Sequence, residues 1–280
     1  MKSFKAVRPL FSQCARLAQQ NKSLFHPCFQ MALINLIVFA CLLMGFFGLV
    51  FRQDATLHFL GMTVFAVMVL FPIRAFLRVR FMAVESLMIY EALHAHKILS
   101  IGAAWKATDH QTSSYLLLML TDAIAAFIKK LERRDHPGLL SDLTGATAEQ
   151  AVDMATYYAI PLIVVEKLSF RAALLRAKDL WTNAGASIGG MLGIDALQFV
   201  FRLLFGVLIV ILGGVACLLG FLGATMYGSF SWTPLAIVFV ILFIVHAFVK
   251  PFFDLLKMLY FTSLYHAASL PPTKKSVAAD

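Results

Sequence analysis

The stretch YYAIPLIVVEKLSFRAALLRAKDLW, Tyr157–Trp181, sets two kinds of helix side by side. Its first half is an apolar run carrying Pro161 and ending at Glu166 and Lys167. Ser169 then stands where an N-cap belongs. It opens a helix with Phe170, Ala173, Leu174, Ala177 and Trp181 on one face and Arg171, Lys178 and Asp179 largely off it. That pattern is amphipathic and fits a membrane surface. Pro161, Glu166, Ser169 and Arg171 thus form a join between a spanning helix and a surface helix, with Glu166 expected to pair with Lys167 or Arg171. Arg171, Arg176 and Lys178 are the residues expected to meet lipid headgroups.

The rest of the chain suits that reading. Of its 280 residues, 60% are hydrophobic and 14% charged, and the mean hydropathy is +0.81. A soluble domain is nearer half apolar and a quarter charged, so the expected fold is an all-α, polytopic membrane protein. The net charge is +9. It sits mainly beside apolar runs, where it sets orientation and attracts anionic lipid. Membrane lipids with anionic headgroups are therefore the expected partners, and nucleic acid is not. Cys14, Cys28, Cys41 and Cys217 show no CxxC and no metal-ligand spacing, so they read as reduced small hydrophobes. No metal and no cofactor is expected.

Apolar runs predict six spans, near 31–51, 57–73, 113–128, 151–165, 191–221 and 234–249. Residues 1–30 carry five basic residues and no acidic one, which reads as a basic interfacial helix. Arg74, Arg78 and Arg80 mark a cytoplasmic end after the second span. Residues 81–112 are more polar and read as helical, near the membrane. The run 113–128 is interrupted by Thr121 and Asp122, and as a span it would place Lys129–Asp135 outside, against the positive-inside tendency; the alternative is a re-entrant or buried helix. The fifth run is too long for one straight crossing and is expected to tilt, or to break near Gly213 and Gly214. The last helix is expected to run on into the cytoplasm, and the tail 270–280 reads as disordered. Six spans and the basic clusters place both termini in the cytoplasm, at a bacterial inner membrane.

The join recurs. Leu168–Ala173 matches Leu99–Ala104 as L-S-x-x-A-A, and Ser169–Ala172 matches Ser3–Ala6 as S-F-[K/R]-A. Pro72, Pro161 and Pro251 each lie near the cytoplasmic end of a returning span. Three units of one surface helix plus one hairpin would give this pattern; so would chance among short alanine-rich matches.

Four patterns together resemble a known family. They are N-K-x-L-F at Asn21–Phe25, A-T-Y-Y-x-I-P-x-I-V-x-E at Ala155–Glu166, the S-F-x-x-A-L helix from Ser169, and Leu264-Tyr265 followed by Ala267 and Ala268. This resembles a family of uncharacterised bacterial and archaeal six-helix membrane proteins. More distantly it is similar to the membrane domain of some glycerophosphodiester phosphodiesterases. The resemblance implies a fold and no activity, because the phosphodiesterases' soluble catalytic domain has no counterpart in this sequence.

Ionisable residues in spans are costly and often functional. Asp195, Gln198 and Arg202 share a face of the fifth span, and His246, Lys250, Asp254 and Lys257 a face of the sixth. They form either a polar seam lining a cavity for an ion, proton or lipid headgroup, or interfacial residues that pair and snorkel. Glu91, His94 and His96 read as a solvated face. No GxSxG, HExxH, Walker loop or GxGxxG occurs in its required context. The leading expectation is a non-enzymatic membrane scaffold or lipid-homeostasis factor. The alternative is a transporter or channel using the seam.

Overall fold

The structure, a computed structural model, describes residues 12–51, 56–96, 99–135, 154–182, 185–227 and 233–269. Ser3 to Ala6, residues 136–153 and the tail 270–280 lie outside the described residues. The described residues are all-α. Helix α1 covers 12–20, and α2 is Phe25–Phe51. Helix α3, Thr56–Phe65, runs through a π-helical turn, Ala66–Leu70, into α4, Phe71–His94. Then come α5, Ile101–Thr108; α6, Thr112–Asp135; α7, Met154–Val165; α8, Phe170–Thr182; α9, Gly185–Tyr227; and α10, Thr233–Ser269.

Four stretches are long and apolar enough to cross a membrane: Lys22–Gly45, Phe59–His94, Gly190–Leu222 and Ile237–Ser269. This is a polytopic all-α membrane fold. Along these helices apolar side chains point outward, as Leu33, Ile37 and Met44 do on α2 and Leu203, Leu204 and Val210 on α9. Such outward apolar surface belongs against lipid.

The other two expected spans differ. The run 113–128 lies in α6, which is not among those stretches. Helix α7 is twelve residues long, about 18 Å, against a hydrocarbon core of ~30 Å. It also has almost no outward face: Tyr157 and Tyr158 are nearly inaccessible, and Ala159, Ile160, Leu162 and Ile163 are fully so. An apolar run reads alike whether lipid or protein covers it, and here protein does.

That protein is a packed base. Below the lipid-facing zone α4 continues through Val79–Ala92 and α10 through Phe253–Tyr265, both inside the core, with α7 against them. The segment 81–112, expected to be more polar and near the membrane, supplies some of the most buried side chains, among them Ala83, Val84, Met88 and Ile89, with Glu85 and Ser86 buried as well. Ser86 and Thr262 share a hydrogen bond of 3.2 Å across α4 and α10. Helix α1 sets Cys14 and Leu17 into the core and leaves Arg16 exposed. Burial pushes the Cys14 thiol above its ordinary range, its Sγ lying 3.5 Å from Ser263 Oγ.

Helix α9 runs unbroken through Gly213 and Gly214. At 43 residues it is about 65 Å long. The excess length enters the base, where Met191 and Ile194 are buried. In chain order a short helix comes before longer ones three times: α1 before α2, α5 before α6, and α8 before α9 and α10.

Candidate functional site

Outward apolar surface gives way to core along a belt of charge, and Asp195, Asp254 and Lys257 of the expected seam lie on it. Asp254 stands three residues after Pro251 on α10 and is 8% exposed. The Arg78 guanidinium of α4 donates to both its oxygens, Nε to Oδ2 at 2.7 Å and Nη2 to Oδ1 at 3.0 Å. Tyr157 of α7 donates its hydroxyl to Oδ1 at 2.9 Å. One turn on, Lys257 Nζ meets Asp195 Oδ1 of α9 at 2.8 Å and lies 5.4 Å from the Tyr157 ring centroid. Tyr157 therefore gives its hydroxyl to one ion pair and its ring face to the other. Four helices meet here, and Glu85 is within electrostatic reach of Asp254.

A second polar point lies within the lipid-facing zone. Pro251 has no N–H, so the Ala247 carbonyl one turn earlier loses its helical partner. Asn35 of α2 supplies the substitute, donating Nδ2 at 3.1 Å. Its Oδ1 in turn accepts from Arg74 Nε. Asn35, Arg74, His246 and Lys250 line a cavity of about 170 Å³ there. Replacing Asn35 with leucine is expected to cost about 1–3 kcal/mol, the cost of an orphaned buried carbonyl. Pro251→Ala in the same chain should recover most of it by restoring the helical N–H. Unfolding in detergent micelles measures both. Equal losses in the single and double variants would mean that Asn35 does not serve this carbonyl.

Only some of the expected seam is brought together. Asp195 crosses to α10, but to Lys257. The partners of Asp254 come from α4 and α7. Gln198 is half-buried and Arg202 exposed; His246 and Lys250 are also exposed, the His246 ring lying 6.2 Å from that of Phe205.

The join at Glu166 also differs from expectation. Glu166 accepts from Tyr265 Oη at 2.9 Å, so its partner comes from α10 and not from Lys167 or Arg171. Lys167 turns left-handed at φ 54°, and the Glu166 and Leu168 N–H groups both return to the Leu162 carbonyl, at 3.2 and 3.4 Å. Pro161 is buried within α7. Ser169 precedes α8, its carbonyl accepting from Ala173 N at 2.9 Å. Its counterpart Ser100 caps α5 through its hydroxyl, which accepts from Ala103 N at 3.3 Å. The apolar face of α8 packs on protein: Ala173 and Ala177 are core residues, with Phe170 and Leu174 against them. Its outer face carries Arg171, Leu175 and Lys178 in one stripe, with Arg176 also exposed.

Arg78, Tyr157, Asn35 and Tyr265 are the partners that sequence reasoning missed. Only Asn35 had a signal, the proline that frees a carbonyl on the opposite helix. Compared with protein-family models, with curated proteins and with solved structures, the chain gives no match.

Proposed function

We propose that this is a non-enzymatic integral membrane protein that organises anionic lipid at a membrane surface, as a scaffold or lipid-homeostasis factor. In this reading it resides in a bacterial inner membrane, with the packed base and both termini on the cytoplasmic side. The observation that carries it is the outer stripe of α8. Arg171, Leu175 and Lys178 face outward together while the alanine face is held by the core. A rigidly held helix then presents cations and one leucine to its surroundings, a combination suited to headgroups over an acyl boundary. The pairing of Asp195 with Lys257 and of Asp254 with Arg78 supports this reading over transport, since each carboxylate is engaged in joining helices.

The test is Arg171→Gln, Arg176→Gln and Lys178→Gln in one chain, reconstituted in nanodiscs. Wild type should be more stable in anionic phosphatidylglycerol than in zwitterionic phosphatidylcholine. The triple variant should lose about 3 kcal/mol of that difference, at ~1 kcal/mol per cation near a charged surface. An undiminished difference would overturn the proposal.

A further inference from the structure

Arg202 is an anomaly in the lipid-facing part of α9. It follows Asp195 by seven residues, about 10 Å along the axis, on the same helix face. Its neighbours Phe199, Leu203 and Leu204 are 65%, 54% and 61% exposed, as side chains facing lipid are. Arg202 is itself exposed, and among the described residues it has no ion-pair or hydrogen-bond partner. A guanidinium keeps its charge, and in an apolar belt it needs an anion within reach of its flexible stem.

Its chain neighbour Phe201 lines a groove of about 560 Å³ with almost purely apolar walls. Phe25 and Phe29 of α2 form one side and Phe201 of α9 the other, with Val245, Phe248 and Phe253 of α10 between. Phe201 meets Phe253 edge-on at 6.1 Å, and Phe29 meets Phe248 at 5.6 Å. The volume falls in the range of small-ligand sites, about 300–1,000 Å³. Those sites normally carry polar groups that fix the ligand's orientation; these walls have essentially none. Arg202 is the residue that follows the wall residue Phe201 on α9.

We infer that the groove holds an acyl chain of one bilayer phospholipid, and that Arg202 binds the phosphate of its anionic headgroup. The occupant follows from the surroundings: the groove lies among lipid-facing helices, next to the charged belt, where a headgroup and the start of its chain both have to sit. Arginine forks onto phosphate oxygens with paired, charge-assisted hydrogen bonds. The site uses none of the α8 residues and does not rest on the reading given to them.

Native mass spectrometry of the full chain in detergent tests this, with phosphatidylglycerol and phosphatidylcholine of matched chains as probes. Wild type should retain one lipid saturably and prefer phosphatidylglycerol by about tenfold, because in phosphatidylcholine the choline cation offsets the phosphate charge that the guanidinium meets. Arg202→Gln should bring the preference to within about twofold, and Arg202→Lys should keep most of it. Val245→Trp, which fills the groove from a position 39% exposed, should abolish saturable retention of both lipids. The Arg171, Arg176 and Lys178 triple variant should leave the one-lipid stoichiometry intact. Preference surviving Arg202→Gln, or stoichiometry surviving Val245→Trp, overturns the inference. Loss of the saturable lipid in the triple variant alone would overturn it too, placing that lipid on α8.

Discussion

Asp254→Ala is expected to lower the stability of the folded protein by about 3–5 kcal/mol, the cost of breaking a buried pair from one side. The magnitude turns on burial. A surface bridge between mobile side chains contributes ~0–1 kcal/mol, but the Arg78 and Asp254 side chains are only 24% and 12% exposed. The contact is also a two-pronged fork completed by the Tyr157 hydroxyl. Removing the carboxylate leaves a guanidinium and a phenol in a site where water replaces the lost bonds poorly. The companion variant separates specific pairing from general damage. Arg78→Met, Asp254→Leu and Tyr157→Phe together remove the three groups of this contact and keep the volume, which is often neutral or stabilising for a buried network. Chemical unfolding in micelles should therefore rank the triple variant above Asp254→Ala. A loss below 1 kcal/mol for Asp254→Ala would place the pair in solvent, and the belt would not be part of the core.

The fold was legible where composition decides it. Runs such as Met31–Phe51 and Pro234–Val249 read as spans because a helix of that length has no other apolar surroundings large enough. Legibility ends where two surroundings share one pattern. The run ending at Val165 and the face of α8 are apolar whether lipid or protein meets them, and α7 and α8 are met by protein. Asp195 and Asp254 stood out because carboxylates are rare beside spans. Their environment did not, because it is set by tertiary pairing: Asp254 meets Tyr157 across 97 positions and Arg78 across 176. In the sequence Arg78 marks orientation and Tyr157 belongs to an apolar motif. Arg202 was legible as a residue out of place, and the groove that gives it a context was not, because its walls come from three helices.

Gly190→Ala should destabilise the protein even though alanine is the better helix former, and this follows from how closely α9 and α10 approach. A Cβ at Gly190 would overlap the ring of Tyr260, which is 1% exposed and set edge-on against Phe261 at 5.6 Å. The ring has no solvent to swing into. Overpacking of this kind costs about 1–3 kcal/mol; the helix-propensity gain of roughly 1 kcal/mol offsets only part of it, and Gly190→Val, without that gain, should cost more. Gly193, one turn on, has nothing within 4 Å of an added Cβ, so Gly193→Ala should stabilise by up to about 1 kcal/mol. Opposite signs from the same substitution three residues apart depend on the register of two helices and not on propensity, and thermal unfolding of both variants in one detergent reads them. The same register sets Asp195 beside Lys257, with α9 rising five residues from Gly190 as α10 falls three from Tyr260. If the two alanine variants behaved alike, that register would be wrong, and the ion pair joining α9 to α10 would go with it.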